Sequence, residues 1–281
     1  MTATTAAYAG VTTGEFRTPD GVRLAYTDFG GAGRPVLALH GAYGRGRSFH
    51  ALARHLGPGY RVIALDQRGH GHSDRPGDYS REAYLADTAA AIEHLGLAPA
   101  VLIGHSLGGI NAYQLAARRP ELVEVVVIAD SPVALAPGVV GTDWLTGVPD
   151  RFPTFAELRA QIEAANSVGF LDHFTESAVE DERGWGFLWR REDMAEVMRG
   201  VTGEWWADWA GSAQPFLFVR GATSRYVSAE DTAEMAARRP GTEFAAIEGA
   251  GHDFYLSHTA EFAAVTRRFL DGLPPTRPQA G

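Results

Sequence analysis

Residues 102–119 read LIGHSLGGINAYQLAARR. An apolar run ends in Gly104-His105-Ser106-Leu107-Gly108, and a helical pattern begins at once. G-x-S-x-G at the joint of a strand and a helix marks a nucleophile elbow, a sharp turn whose strained backbone lifts the serine above the sheet edge. Glycines flank it because no side chain fits where the helix crowds back on the strand. With 33 glycines in the chain, the bare pattern would arise by chance in about one such chain in ten. The strand before it and the helix after it therefore carry the reading. Ser106 is the candidate nucleophile, and Leu107 offers the backbone N–H that follows it.

Outward from the elbow the chain alternates. Apolar runs stand at 35–40 (PVLALH), 61–66 (RVIALD), 100–105 (AVLIGH), 124–130 (EVVVIAD), 215–220 (PFLFVR) and 243–248 (EFAAIE). Short, continuous, β-rich runs of this kind suit parallel strands covered on both faces. Helical patterns such as SREAYLADTAAAIEHLG and TAEFAAVTRRFLDGL lie between or after them. GEFRTPDGVRLAYTDFG, before the first run, reads as a hairpin turning at Pro19-Asp20-Gly21. The pattern predicts an α/β fold with a mostly parallel sheet. Between Asp130 and Pro215 no strand is visible, and this stretch holds all six tryptophans, with helical patches at TFAELRAQIEAAN and REDMAEVMRGV. A structureless loop of that length is implausible in one domain, so a helical insertion with an aromatic underside is expected.

Two further turns carry chemistry. LALHGAYGRG (37–46) places His-Gly at the end of a strand, where backbone N–H groups can hold an oxyanion. Ala42 and Leu107 are the expected donors, His40 orients the loop, and Arg45 and Arg47 could meet an anionic substrate, although solvated surface arginines are the simpler reading. IEGAGHDFYLSH (247–258) follows the last strand and supplies the base, His252. The chain has ten histidines, so position selects it. His70 and His72 lie in a loop with no third ligand in sight, so no metal site is expected.

Composition narrows the classes. The 281 residues are 45% hydrophobic, enough for a large core. A net charge of −9 argues against nucleic acid or an anionic membrane as partner. The absence of cysteine removes disulfides, thiolate zinc sites and cysteine nucleophiles. No secretory or membrane-spanning segment is read, so a cytoplasmic location is the expectation.

The motifs HGAYG, DQRGHGHSD, GHSLGG and GAGHDF together resemble the α/β-hydrolase superfamily, over roughly Gly14 to Leu273. The resemblance implies the α/β-hydrolase fold: an eight-stranded, mostly parallel sheet with helices on both faces and a helical cap inserted after the sixth strand. The implied division is a core domain of 14–130 and 213–273, a cap of 131–212, and flexible tails at 1–13 and 274–281. A serine at the elbow argues against the branches that carry aspartate there.

A triad also needs a carboxylate to fix the histidine tautomer. Most relatives carry it after the seventh strand, but RGATSRYVS (220–228) has Ser224 in that slot, and Glu230 and Asp231 read as first-turn helix acids. Asp130 closes the sixth strand on the edge where parallel sheets place their sites, and some superfamily members resemble this layout. Asp130 is the expected acid, with Asp253 a further candidate and a turn aspartate the bland alternative. Substrate contacts are expected from Tyr43, His105, Trp144, Trp185, Trp189 and Phe254. Arg151, Arg183, Arg190 and Arg191 could meet a carboxylate, although surface ion pairs are the simpler reading. The expected activity is cleavage of a small, partly apolar ester or lactone through an acyl-enzyme, with no cofactor or metal. C–C bond or enamide hydrolysis of an acidic metabolite is the alternative, and a ligand-binding receptor on the same scaffold is the alternative of another class. Oligomeric state is not legible.

Overall fold

The hairpin and the apolar runs join one eight-stranded sheet in the computed structural model, which describes residues 10–136, 146–165 and 171–274. Its strands are β1 (Thr12–Arg17), β2 (Arg23–Asp28), β3 (Arg34–Leu39), β4 (Tyr60–Leu65), β5 (Ala100–His105), β6 (Val123–Ala129), β7 (Phe216–Gly221) and β8 (Glu243–Ile247). The spatial order is β1-β2-β4-β3-β5-β6-β7-β8. β1 and β2 form the antiparallel hairpin, β2 runs antiparallel to β4, and the remaining pairs are parallel. The hairpin turns where Pro-Asp-Gly predicts, with the Gly21 N–H donating to Thr18 O at 2.9 Å.

Alternation along each central strand feeds two separate cores. Leu37, Leu39, Leu102, Val126 and Ile128 face α2 (Arg81–His94) and α3 (Leu107–Arg118). Val36, Ala38, Val101, Ile103, Val125 and Val127 face α1 (His50–Leu56) and the C-terminal helix of Thr259–Gly272. Every residue of β5 is buried, which explains its unbroken apolar run. Each such side chain is worth on the order of 2 kcal/mol when withdrawn from water, so the sheet centre is a firm base for the turns at its C-terminal edge.

The residues between β6 and β7 differ from the expectation of a purely helical insertion. The two helical patches fold as α4 (Phe155–Ala165) and α6 (Arg191–Val201), with short helices α5 (Leu171–Thr175) and α7 (Trp206–Ala210). Among the described residues four short strands are also present. Ala134–Leu135 pairs with Gly203–Glu204, and Ala178–Asp181 pairs with Gly184–Phe187. Two to four residues are too few to establish a period-two pattern, which is why these strands escape the sequence.

The tryptophans do not act as one group either. Trp209 is fully buried in the main core, its ring against Tyr113, Phe216 and Phe218 and its Nε1–H donating to Met235 O at 2.9 Å. Trp206 lies under the Arg238 guanidinium, and Trp144 lies outside the described residues. Among the described residues, no helix is long and apolar enough to cross a membrane.

Candidate active site

Three non-glycine residues have positive φ among the described residues: Tyr43 at 68°, Ser106 at 50° and Asp130 at 50°. Backbone strain of this kind persists only where the surrounding structure over-determines it. All three stand in turns just past adjacent strands, β3, β5 and β6. The Ser106 N–H donates to Ala129 O at 3.0 Å, which ties the elbow to the residue before Asp130.

The elbow glycines are steric requirements. A Cβ on Gly104 would lie 2.3 Å from Gly108 O, and one on Gly108 would lie 2.1 Å from Leu39 O. A Cβ on Gly41 would meet His105 Nδ1 at 2.7 Å and Ser106 Cβ at 3.2 Å. The His-Gly loop therefore presses directly on the serine turn.

Asp130 is fully buried and its carboxylate is well satisfied. Oδ2 accepts from His252 Nδ1–H at 2.7 Å, and Oδ1 accepts from the Gly221 N–H at 3.0 Å. The Ser224 hydroxyl donates to Oδ2 as well. The residue in the usual acid slot thus donates a hydrogen bond to Asp130 from the turn after β7. Asp231 forms a capping box with Ser228 at the start of Ala229–Arg238, as its first-turn position predicts, and Asp253 stands at the N-cap position of the short helix Phe254–Ser257 with no capping bond from its side chain.

Aromatic rings close in around His252. Tyr226 lies at 4.5 Å and His105 at 4.6 Å between ring centroids. His105 differs from the expectation of a substrate contact. It is 1% exposed, its Nε2–H donates to His252 O at 3.0 Å, and it stacks on Tyr255 at 4.3 Å. It thus braces the His252 backbone and packs against the His252 ring. Burial, with the His252 ring beside it, holds the His105 imidazole well below the ordinary histidine range. Phe254 is also not a contact, because it is fully buried against Phe262 in the second core.

The loop after β3 is held from two sides. His40 Nδ1–H donates to Gly41 O at 2.7 Å while its Nε2 accepts from the Gln67 N–H at 3.1 Å, the loop-orienting role expected of it. Arg45 is not solvated: it is 7% exposed and its Nε donates to Glu176 O at 2.7 Å. Helix α5 contributes His173, whose Nε2–H donates to Ala42 O at 2.6 Å and whose Nδ1 accepts from the Tyr255 hydroxyl at 3.0 Å. Burial pushes His173 down to about 4. His173 was invisible to the sequence reading, because a lone histidine in LDHFT carries no motif.

Of the remaining expected contacts, Trp185 and Trp189 belong to the insertion and Tyr43 to the loop after β3. Tyr43 and Trp189 are nearly buried and meet edge to face at 5.2 Å. Trp185 packs on Phe155 at 4.9 Å. Arg151 and Arg183 pair with Asp181, and Arg191 pairs with Asp150, so these arginines are engaged by carboxylates of the chain itself. Leu107 is the first residue of α3, where backbone N–H groups have no intrahelical partner and the helix dipole favours negative charge.

The sequence model for the alpha/beta hydrolase fold matches residues 34–259. The chain is 30% identical to the sn-1-specific diacylglycerol lipase ABHD11 of Mus musculus, over 84% of this chain and 80% of that protein. It is also 30% identical to the 2-(acetamidomethylene)succinate hydrolase of Mesorhizobium japonicum, over 79% of this chain and 82% of that protein. A crystal structure of E-2-(acetamidomethylene)succinate hydrolase superimposes with a TM-score of 0.79 at 26% identity, covering 93% of this chain and all of the other. These relatives are hydrolases, the sheet order and strained elbow are in place, and the chain belongs to the α/β-hydrolase family.

Proposed function

We propose that this protein is a serine hydrolase that cleaves a small, partly apolar carboxylic ester or lactone, with Ser106 as nucleophile, His252 as base and Asp130 as acid. The observation that carries the reading is the buried Asp130 carboxylate, bonded to His252 Nδ1–H at 2.7 Å one residue from the carbonyl that holds the Ser106 turn. With its Nδ1 proton committed to Asp130, neutral His252 has Nε2 for the serine proton.

The reaction then runs in two halves. His252 Nε2 takes the Ser106 Oγ proton as Oγ bonds to the carbonyl carbon, and the carbonyl π electrons move onto oxygen. The N–H groups of Ala42 and Leu107 receive that oxyanion. When it collapses, the C–O bond to the leaving group breaks and the leaving alkoxide takes the proton from His252. Water next gives a proton to His252 and attacks the acyl carbon. The second collapse breaks the Ser106 ester and returns the proton to Oγ, releasing the carboxylic acid. In this reading residues 131–212 act as a cap over the site, and the partner is a small-molecule substrate rather than a membrane or a nucleic acid.

A second reading has its own support in the 30% identity to the 2-(acetamidomethylene)succinate hydrolase. In that case the same residues would act on an enamide of an acidic metabolite.

A fluorophosphonate probe and a panel of p-nitrophenyl esters test the proposal together, with 2-(acetamidomethylene)succinate run alongside. The parent should take up one probe per chain at Ser106 and turn esters over, and Ser106→Ala should lose at least about 10⁴-fold in kcat. Turnover surviving Ser106→Ala would overturn the proposal. Faster turnover of the succinate than of any ester would favour the second reading.

A further inference from the structure

Residues 173–177 of the insertion grip the loop after β3 at consecutive points. His173 Nε2–H donates to Ala42 O at 2.6 Å, and the Ser177 hydroxyl donates to Tyr43 O at 2.5 Å. In the opposite direction Arg45 Nε donates to Glu176 O at 2.7 Å. The peptide before these is pinned from the core side. Gly41 O accepts from His40 Nδ1–H at 2.7 Å and from the Gly44 N–H at 3.1 Å. Three successive carbonyls, those of Gly41, Ala42 and Tyr43, are therefore each held by a separate donor.

This matters because of peptide geometry. The Gly41 carbonyl and the Ala42 N–H belong to one planar, trans peptide and point in opposite directions. Holding the carbonyls on either side of Ala42 fixes the direction in which its N–H points. The turn has no natural tendency to stay there, since Tyr43 sits at φ 68°, a region unfavourable for a bulky residue. His173 is itself fixed. It is 6% exposed, its Nδ1 accepts from Tyr255, and its ring meets the His105 ring at 5.7 Å. There is no slack between it and the loop, as a Cβ on Gly44 would come within 3.2 Å of its Cε1.

We infer that His173 is a positioning residue for the oxyanion loop: the hydrogen bond from the insertion to Ala42 O fixes the peptide that follows Ala42, and with Gly41 O held from the core side this keeps the Ala42 N–H in its aim, so the insertion completes the electrophilic half of the site as well as covering it. The inference rests on the acyl-transfer reading proposed above. It goes further in making transition-state stabilisation depend on the seating of α5.

Two side chains of similar length separate this from a packing role. His173→Gln keeps an N–H donor near the position of Nε2, and His173→Met fills similar space without one. Kinetics on p-nitrophenyl butyrate should show H173M losing about 10- to 100-fold in kcat, less than the 10²–10³ that outright loss of an oxyanion donor costs because the N–H is misaimed and not removed, with KM changed less than about threefold. H173Q should recover most of the loss. Affinity for propylboronic acid, which mimics the tetrahedral state of the butyryl ester, should fall in H173M by the same factor as kcat/KM, while affinity for the product butyrate stays level. A merely structural role would lower the melting temperature of both variants and leave this split absent. H173M with the same kcat and boronate affinity as H173Q would overturn the inference while the parent remained an active hydrolase. A parent that neither turns esters over nor takes the fluorophosphonate at Ser106 would instead sink the acyl-transfer reading, and the inference with it.

Discussion

The two sides of the site are built by different means. On the sheet side, backbone geometry does the holding: Ser106 and Asp130 sit at φ 50°, glycines allow close approach, and Asp130 takes an N–H from the end of β7. On the insertion side, the loop after β3 is held by particular side chains, His173, Ser177 and Arg45. A backbone device needs few residue types at fixed spacing. A side-chain device can be made by many residues at many positions. The difference decides what the sequence reveals, how strongly each side responds to mutation, and how each responds to acid.

The sheet side should give the largest effects. Asp130→Asn keeps the volume but cannot hold His252 in the tautomer with the proton on Nδ1 and the lone pair on Nε2. A loss of roughly 10³- to 10⁴-fold in kcat is expected, with the fold retained by circular dichroism. Activity within tenfold of the parent would mean that the acid lies elsewhere. The comparison sharpens in the double variant Asp130→Asn with Ser224→Asp. Ser224 Oγ already reaches the Asp130 carboxylate from the turn after β7, so a carboxylate there can approach His252 from that turn. Recovery of about tenfold or more over D130N would show that the two strand ends are interchangeable supports. No recovery would tie the function to the turn at the end of β6.

A smaller effect is expected from Ser224→Ala. It removes one of three donors to Asp130 and leaves His252 Nδ1–H and the Gly221 N–H in place. A hydrogen bond to a charged group is worth about 1.5–3 kcal/mol, but solvent or a rotated neighbour can replace part of it. A three- to tenfold fall in kcat/KM is the expected result of steady-state assays. A loss as large as that of D130N would mean that Ser224 does more than settle the carboxylate.

The same contrast explains what could be read from the sequence. The elbow was legible because Gly104 and Gly108 cannot be anything else, and the strands because two-sided burial writes an unbroken apolar run. The Asp130 choice followed from an empty slot at Ser224, although the bond between those two residues was not foreseen. On the insertion side, Arg45 looked like a surface residue because nothing in its neighbourhood names Glu176, which is 131 positions away. Phe254 and His105 looked like pocket residues because they flank the motifs. Flanking in sequence does not set facing, and both turn into the core. The short strands at 178–181 and 184–187 hold too few residues for a pattern.

Acid should distinguish the two sides with no effect on the chemical step, and the sign is fixed by His173. Its ring is buried among His105, Tyr255 and the Ala42 carbonyl, and burial is the main cause that lowers it to about 4 from the ordinary 6.5. Between those values the unfolded chain binds a proton at this position and the folded chain does not. Stability contributed by the neutral ring is therefore present above pH 6.5, declines as pH falls towards 4, and changes no further below that. The slope for one such group is about 1.4 kcal/mol per pH unit. His70, buried and also lowered to about 4, follows the same course, whereas burial raises Asp66, Asp87 and Asp253 and gives them the opposite sign, but all of these groups are common to parent and variant. Urea unfolding of the parent and His173→Gln between pH 7 and pH 4 isolates the one ring. The parent curve should fall more steeply than the variant's by close to one proton. Parallel curves would mean that His173 is charged in the folded state or wet, and that the insertion side is held more loosely than its hydrogen bonds imply.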